Sequence, residues 1–254
     1  MNTSIFTCNR LFVTLLLSFF SFTNGNAQYK TITLDPFQKV VISPYIEVVF
    51  EQAAEEAVLI NNSKVPKEKI NIESSGDQLH IYLEDAKVVG KQEGVIINGN
   101  KRKEDVYKGT QVSITIQYKY LKSVEIRGEE HIDFKDPLNA KDFDLDLYGS
   151  PKVIFKSLTA EKLKVALYGE SYLEVNDGAV EFQRYRSYGD SKVNTLALVS
   201  KETKIAAYGS NQLMVHASEE LKVSAFGDVS IQYKGNPEIK NGLKIGDIVL
   251  QKMD

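Results

Sequence analysis

A glycine returns at a nearly fixed interval through the second half of this chain. Gly128, Gly149, Gly169, Gly189, Gly209 and Gly227 are separated by 21, 20, 20, 20 and 18 residues. From Gly149 onward each follows an aromatic residue and precedes a small or acidic one, as in Tyr148-Gly149-Ser150, Tyr188-Gly189-Asp190 and Phe226-Gly227-Asp228. The first copy, Arg127-Gly128-Glu129, is degenerate. A regular period of this length marks stacked units, because a single unit is too short to bury its own apolar face.

The residues around each glycine say what a unit is made of. Two and four positions before it stand pairs such as Leu147 and Leu145, Leu167 and Val165, and Ala225 and Val223. Four and six positions after it stand Val153 and Phe155, Leu173 and Val175, and Leu213 and Val215. Alternation with period two is the mark of strands with one buried side, whereas helices would need apolar spacings of three and four, which are absent. Each repeat therefore reads as two strands joined at a glycine corner. Stacked in parallel, such repeats give an all-β protein built as a right-handed parallel β-helix, or solenoid, with coils of about 20 residues. An antiparallel meander is the rival, but it has no need of in-phase repetition.

The earlier part of the chain is also strand-like. Val40-Val41-Ile42, Ile46-Glu47-Val48-Val49-Phe50, Leu79-His80-Ile81-Tyr82-Leu83 and Val112-Ser113-Ile114-Thr115-Ile116 are short β-rich runs. The segment 85–109, with Lys101-Arg102-Lys103-Glu104-Asp105, reads as a long charged loop or flexible hairpin. The organisation expected is a signal peptide over 1–27, a β-strand region over 28–120 that opens or flanks the stack, and solenoid repeats with a C-terminal cap over 121–254. The last two form one continuous domain. The segment from Asn236 to Gly246 departs from the repeat and is expected to close the stack.

The opening Phe37-Gln38-Lys39-Val40-Val41-Ile42-Ser43, the Ile46–Phe50 strand, the later Leu121-Lys122-Ser123-Val124-Glu125-Ile126 and the Gly-centred turns together resemble one known family. It is the "putative auto-transporter adhesin, head GIN domain" family, of unknown function and common in secreted Bacteroidetes-type proteins. The resemblance covers roughly residues 37–235. It implies a β-helical exported or surface protein with an adhesin-like role, and it brings no catalytic motif. Where the family usually has Ser-Gly-Ala-Ser turns, this chain has Tyr-Gly-x.

Export is also read from the N-terminus. Asn9-Arg10, the apolar run Leu11–Phe20 and the small residues Gly25 and Ala27 fit a secretory signal cleaved after Ala27, too short to span a membrane. The sole cysteine, Cys8, lies before that run, so no disulfide framework or cysteine metal site is available. The formal charge of −3 and the mixed signs of the one basic cluster argue against nucleic acid as a partner.

Two outward columns carry the candidate chemistry. Tyr148, Tyr168, Tyr188, Tyr208 and Phe226 are out of phase with the inward positions and should stack as an exposed column. That column is either a stabilising aromatic ladder or a platform of flat faces and hydroxyls for a glycan or an envelope protein. Beside it Asp144 and Asp146 precede Arg184 and Arg186 by two coils. These form a solvated ionic ladder or, as a lyase would need, a base near a charge-neutralising arginine. Glu129, Glu130, Glu170, Asp190 and Asp228 read as turn residues rather than a calcium site, and no metal or other cofactor is expected. His80 sits in an alternating strand without an evident partner, and His131 and His216 are expected to be exposed. The leading expectation is a non-catalytic adhesin-like binding protein in the periplasm, at the cell surface or secreted, with a carbohydrate-active enzyme and a self-assembling structural module as alternatives. An uncovered end or the flat outer sheet leaves room for a homo-oligomer.

Overall fold

The computed structural model describes residues 30–97 and 100–254, with side chains for 31–94 and 103–254. The expected signal over 1–27 lies outside the described residues. The repeats stack as parallel strands with corner glycines in register: Gly128 pairs with Gly149, Gly149 with Gly169, and Gly169 with Gly189. The result is a β-solenoid with coils of about 20 residues. Neighbouring coils run in the same direction, so the meander is excluded.

Each coil has one more segment than the sequence pattern suggested. Leu138–Gly149 pairs with Leu158–Gly169 along both 138–140 and 142–149, with a bend at Lys141. A short third segment therefore lies between the two longer ones. Leu138, Leu158 and Leu198 fill its inner position, while Gly178 stands there in the coil between the last two. The two-strand reading missed it because three residues are too few to show an alternation.

At the corners the backbone closes as tightly as sterics allow. Gly169 has φ 125, and a Cβ there would collide with the Gly149 carbonyl oxygen. That oxygen accepts the Glu170 N–H at 2.9 Å, and the Gly128 oxygen accepts the Ser150 N–H at the same distance. The parallel ladder thus runs through the bend without orphaned groups.

The interior is an aromatic and aliphatic column that turns polar towards the C-terminal coils. Phe50, Phe134 and Phe155 stack at 4.4 and 4.0 Å between ring centres, and Phe143 meets Phe155 edge-on at 6.0 Å. Further along, the same interior holds Tyr185, whose hydroxyl lies 2.8 Å from Gln183 Oε1 and 3.0 Å from Thr195 Oγ1. Gln183 Nε2 also donates to Ser200 and Thr203, so this buried cluster satisfies its own polar atoms.

The N-terminal strands join the stack out of sequence order. Lys39–Ile42 lies between Ser123–Gly128 and Gln78–Leu83, parallel to both, and Ile46–Gln52 lies between His131–Phe134 and Val112–Tyr118. Beyond that outermost coil the direction reverses. Ile70–Ser75 and Ala57–Ser63 pair antiparallel with it, and Lys30–Thr33 pairs antiparallel with Ala57–Ser63. At the opposite end Glu238–Lys252 continues the stack in parallel, with Gly246 on Gly227. The segment expected to break the repeat is a further coil, interrupted by one irregularity between Val223 and Ala225. Its inner positions include Asn241, Lys244 and Lys252, opposite Val223, Ala225 and Tyr233. Polar and charged residues at positions that are apolar in the preceding coil are a recognised way to end a stack.

Candidate binding site

The tyrosines expected on the outside are there. Tyr148, Tyr168, Tyr188 and Tyr208 are 38–45% exposed, and Phe226 is 53% exposed. Their rings stack at 4.9, 5.3 and 5.0 Å with planes within 6° of parallel. This geometry bears on the flat-face part of the platform reading. A ring stacked on both sides shows solvent only its edge, so the interior tyrosines offer no flat face to a sugar. The coil repeat of about 4.8 Å forces this, since it nearly equals the stacking distance. The two end rings, Tyr148 and Tyr208, are stacked on one side only. Tyr148 pairs in register with Arg127, so the face that does not meet Tyr168 has no ring against it.

The charged column is joined only in part. Lys164 Nζ lies 3.2 Å from Asp144 Oδ1. Asp146 stands opposite Ala166, and Arg186 is one coil further on, so acid and arginine are about 10 Å apart along the axis. Burial, and then Glu125 and Asp144, push the Asp146 carboxyl up. A depression of about 180 Å³ is lined by Asp144, Asp146, Lys164, Val165, Ala166, Arg184 and Arg186.

A concavity lies where the tyrosine ladder stops, a cavity of about 840 Å³. Its position follows from two departures from the repeat. The coil of Gln78–Leu83 and Val112–Tyr118 has no glycine corner; residues 84–111 leave the stack there and carry the antiparallel pair Gln92–Ile97 and Asn100–Asp105. That pair is the expected hairpin. In the next coil the corner is Pro44-Tyr45, with Tyr45 at φ 72. The excursion folds back over these corners, and the enclosed space is bounded by Tyr45, Tyr107, Val88, Val89, Arg127 and Tyr148.

The lining is amphipathic. Tyr45 and Tyr107 meet at 5.5 Å, and the Tyr107 hydroxyl donates to the Glu84 carbonyl at 2.9 Å. Val88 and Val89 stand 58% and 73% exposed at the mouth. Arg127 is paired at 2.6 Å with Glu125, and Lys108 at 2.8 Å with Glu104. Glu130 is buried, and that burial raises its pKa although it accepts backbone N–H groups, including that of Glu129 at 3.0 Å. Asp105 and Glu129 complete the rim. Carboxylates, a guanidinium and aromatic side chains in one cavity can accept from and donate to hydroxyl groups while covering an apolar ring.

The histidines differ from expectation. His80 Nε2 is 3.0 Å from Ser43 Oγ, which donates to the Lys87 carbonyl at 2.6 Å. Ser43 therefore accepts from a neutral His80, and burial lowers the His80 pKa accordingly. His131 and His216 are half-buried rather than exposed. Among the described residues there is no cluster of three or more metal-ligating side chains, and no helix is long and apolar enough to cross a membrane.

Residues 36–237 match the family "Putative auto-transporter adhesin, head GIN domain". The chain belongs to this family. Its fold is similar to that of several solved structures. One is a "putative adhesin" from Bacteroides fragilis, 18% identical, with 89% of this chain and 96% of that one covered and a TM-score of 0.72. A "putative lipid binding protein" from Parabacteroides distasonis is 18% identical over the same shares, with a TM-score of 0.65. A "putative adhesin" from Parabacteroides merdae is 17% identical, covers 89% and 95%, and has a TM-score of 0.57. No curated protein matches the chain. In the head GIN domain described here, sequence reasoning found the ladder and missed the cavity. The signals for it were present: Arg127 in place of a tyrosine, and an apolar Val88-Val89 pair inside a charged excursion.

Proposed function

We propose that this head GIN domain is a non-catalytic, adhesin-like binding protein of the cell exterior that holds a saccharide in the cavity at the end of its tyrosine ladder. One observation carries the reading: Tyr148, the end ring of the ladder, lines an 840 Å³ space that Arg127 and carboxylates also line. Sugar recognition needs such a pairing, an aromatic face for the C–H side of the ring and charged groups for its hydroxyls. The lyase reading loses support because Asp146 and Arg186 are separated by a whole coil, with Ala166 between them. A lipid is the second reading, favoured by the exposed valines at the mouth and by the description of the Parabacteroides distasonis relative as lipid-binding.

A glycan array probed with the protein and three variants tests this. Tyr148→Ala removes the end ring, Val89→Arg fills the mouth from an exposed position, and Tyr188→Ala alters the ladder away from the cavity. Sugar binding is expected to vanish in the first two and persist in the third. Binding indifferent to Tyr148 and Val89, or capture of fatty acid in place of any sugar, overturns the saccharide assignment.

A further inference from the structure

The same outer face carries a second feature, separate from the cavity. Five residues before the corner glycines of successive coils stand Lys164, Arg184, Lys204 and Lys222, and the register shift of the last coil brings Lys240, six before Gly246, opposite Lys222. Lys164 pairs with Arg184, Arg184 with Lys204, and Lys222 with Lys240 in the parallel register. Gly209 and Gly227, the corners that follow Lys204 and Lys222, stack directly on one another. Five cations thus rise in one column, and four steps of about 4.8 Å give it a length of about 19 Å.

Like charges placed directly opposite across strands repel, so such a column costs stability unless something neutralises it. Its ends are neutralised, Lys164 by Asp144 at 3.2 Å and Lys240 by Glu220 at 2.6 Å. Its middle is not: Arg184, Lys204 and Lys222 make no ion pair among the described residues, and neither does Arg186 beside them. Arg184 Nε is buried without a hydrogen-bond partner. Between this column and the tyrosine edges runs a row of Ala166, Arg186, Ala206 and Ser224, three small residues and one further exposed cation. The face is therefore a trough along the axis, basic on one wall and lined on the other by tyrosine hydroxyls that make no hydrogen bond among the described residues.

We infer that this trough binds a linear acidic polysaccharide laid along the solenoid axis, its carboxylate or sulfate groups spaced along Arg184, Lys204 and Lys222. Single-stranded nucleic acid fits less well. The stacked tyrosines offer its bases no ring face to stack on. A polymer with one charge per sugar can place its acids on the cations and its hydroxyls on the tyrosine edges. The inference does not depend on what fills the cavity.

Titration calorimetry with polygalacturonate, neutral dextran, single-stranded DNA and phosphatidylglycerol vesicles tests it. Polygalacturonate is expected to bind, more weakly as salt is added, and dextran is expected not to bind. The double variant Arg184→Gln/Lys204→Gln should weaken polygalacturonate by at least about ten-fold, since two charge-assisted contacts are lost. Lys156→Gln, on another face, should change nothing. If the double variant melts early, Lys222→Gln alone serves, with a smaller loss expected. No binding of polygalacturonate, binding insensitive to the column variants, or equal or tighter binding of DNA or vesicles would each overturn the inference. Loss on Tyr148→Ala instead would place the polymer in the cavity and overturn the trough while leaving the cavity reading intact.

Discussion

The tyrosine ladder can be dissected by counting stacking contacts. Tyr148–Tyr168, Tyr168–Tyr188 and Tyr188–Tyr208 are three contacts among four rings. Each is worth about 0.5–1.5 kcal/mol beyond simple burial. Tyr168→Ala removes two of them and should cost about 1–3 kcal/mol, while Tyr208→Ala removes one and should cost about half as much. The decisive comparison uses double variants. Tyr168→Ala/Tyr188→Ala removes three contacts rather than four, because the two residues share one, so its cost should fall short of the sum of the singles by about 0.5–1.5 kcal/mol. Tyr148→Ala/Tyr188→Ala also removes three, but shares none, and should be additive within about 0.3–0.5 kcal/mol. Urea unfolding, with midpoints converted through a common slope, measures all of these. If the adjacent pair is additive, or if all single variants cost the same, the rings do not stabilise one another and the ladder is no more than four exposed side chains.

Two further perturbations separate other causes. Gly76 and Gly169 both have positive φ, 60 and 125, but an added Cβ meets nothing at Gly76 and a backbone carbonyl oxygen at Gly169. Gly76→Ala should therefore cost only the left-handed conformation, about 1–2 kcal/mol, and Gly169→Ala clearly more by urea unfolding; equal losses would mean that close approach of the coils is unimportant. Glu130 supplies a pH test. Its raised pKa means that the folded state holds the proton more tightly than the unfolded chain, so the native protein loses stability as pH rises from about 4.5 through the raised value. Glu130→Gln does not titrate there and can still accept the Glu129 N–H. Its stability relative to the parent should climb over that window and then level off, and a flat difference across about pH 4–8 would remove burial as the cause.

Periodicity made much of this molecule readable from its sequence. A repeat in which Leu145, Leu147, Val153 and Phe155 alternate about Gly149 admits few solutions, and the parallel register pairs equivalent residues throughout. What stayed hidden is what periodicity does not encode. Nothing in Lys39–Ile42 announces that it lies between Gln78–Leu83 and Ser123–Gly128, because parallel strands of similar composition exchange places without altering any one-dimensional pattern. The partner of His80 is Ser43, far away in sequence and brought near only by that insertion. The direction of the tyrosine rings was also unreadable: alternation tells which side of the sheet a residue occupies, but not whether its ring lies flat on the surface or stands against its neighbour.

A regular stack consumes its own recognition surface. Every interior ring in the ladder is covered on both faces by copies of itself, so repetition that strengthens the scaffold removes flat aromatic surface from solution. At the Tyr148 end the repeat fails: Arg127 replaces the next tyrosine, Pro44-Tyr45 replaces a glycine corner and residues 84–111 replace another. All three failures fall at one place, and the 840 Å³ cavity is their common product. Charges follow the opposite rule, because stacked cations do not cover one another; their potential adds along the column. A solenoid of this kind is thus expected to bind ring faces at its irregular end and to bind polyanions along its regular flank, and the two variant sets, at Tyr148 and at Arg184 with Lys204, separate those contributions.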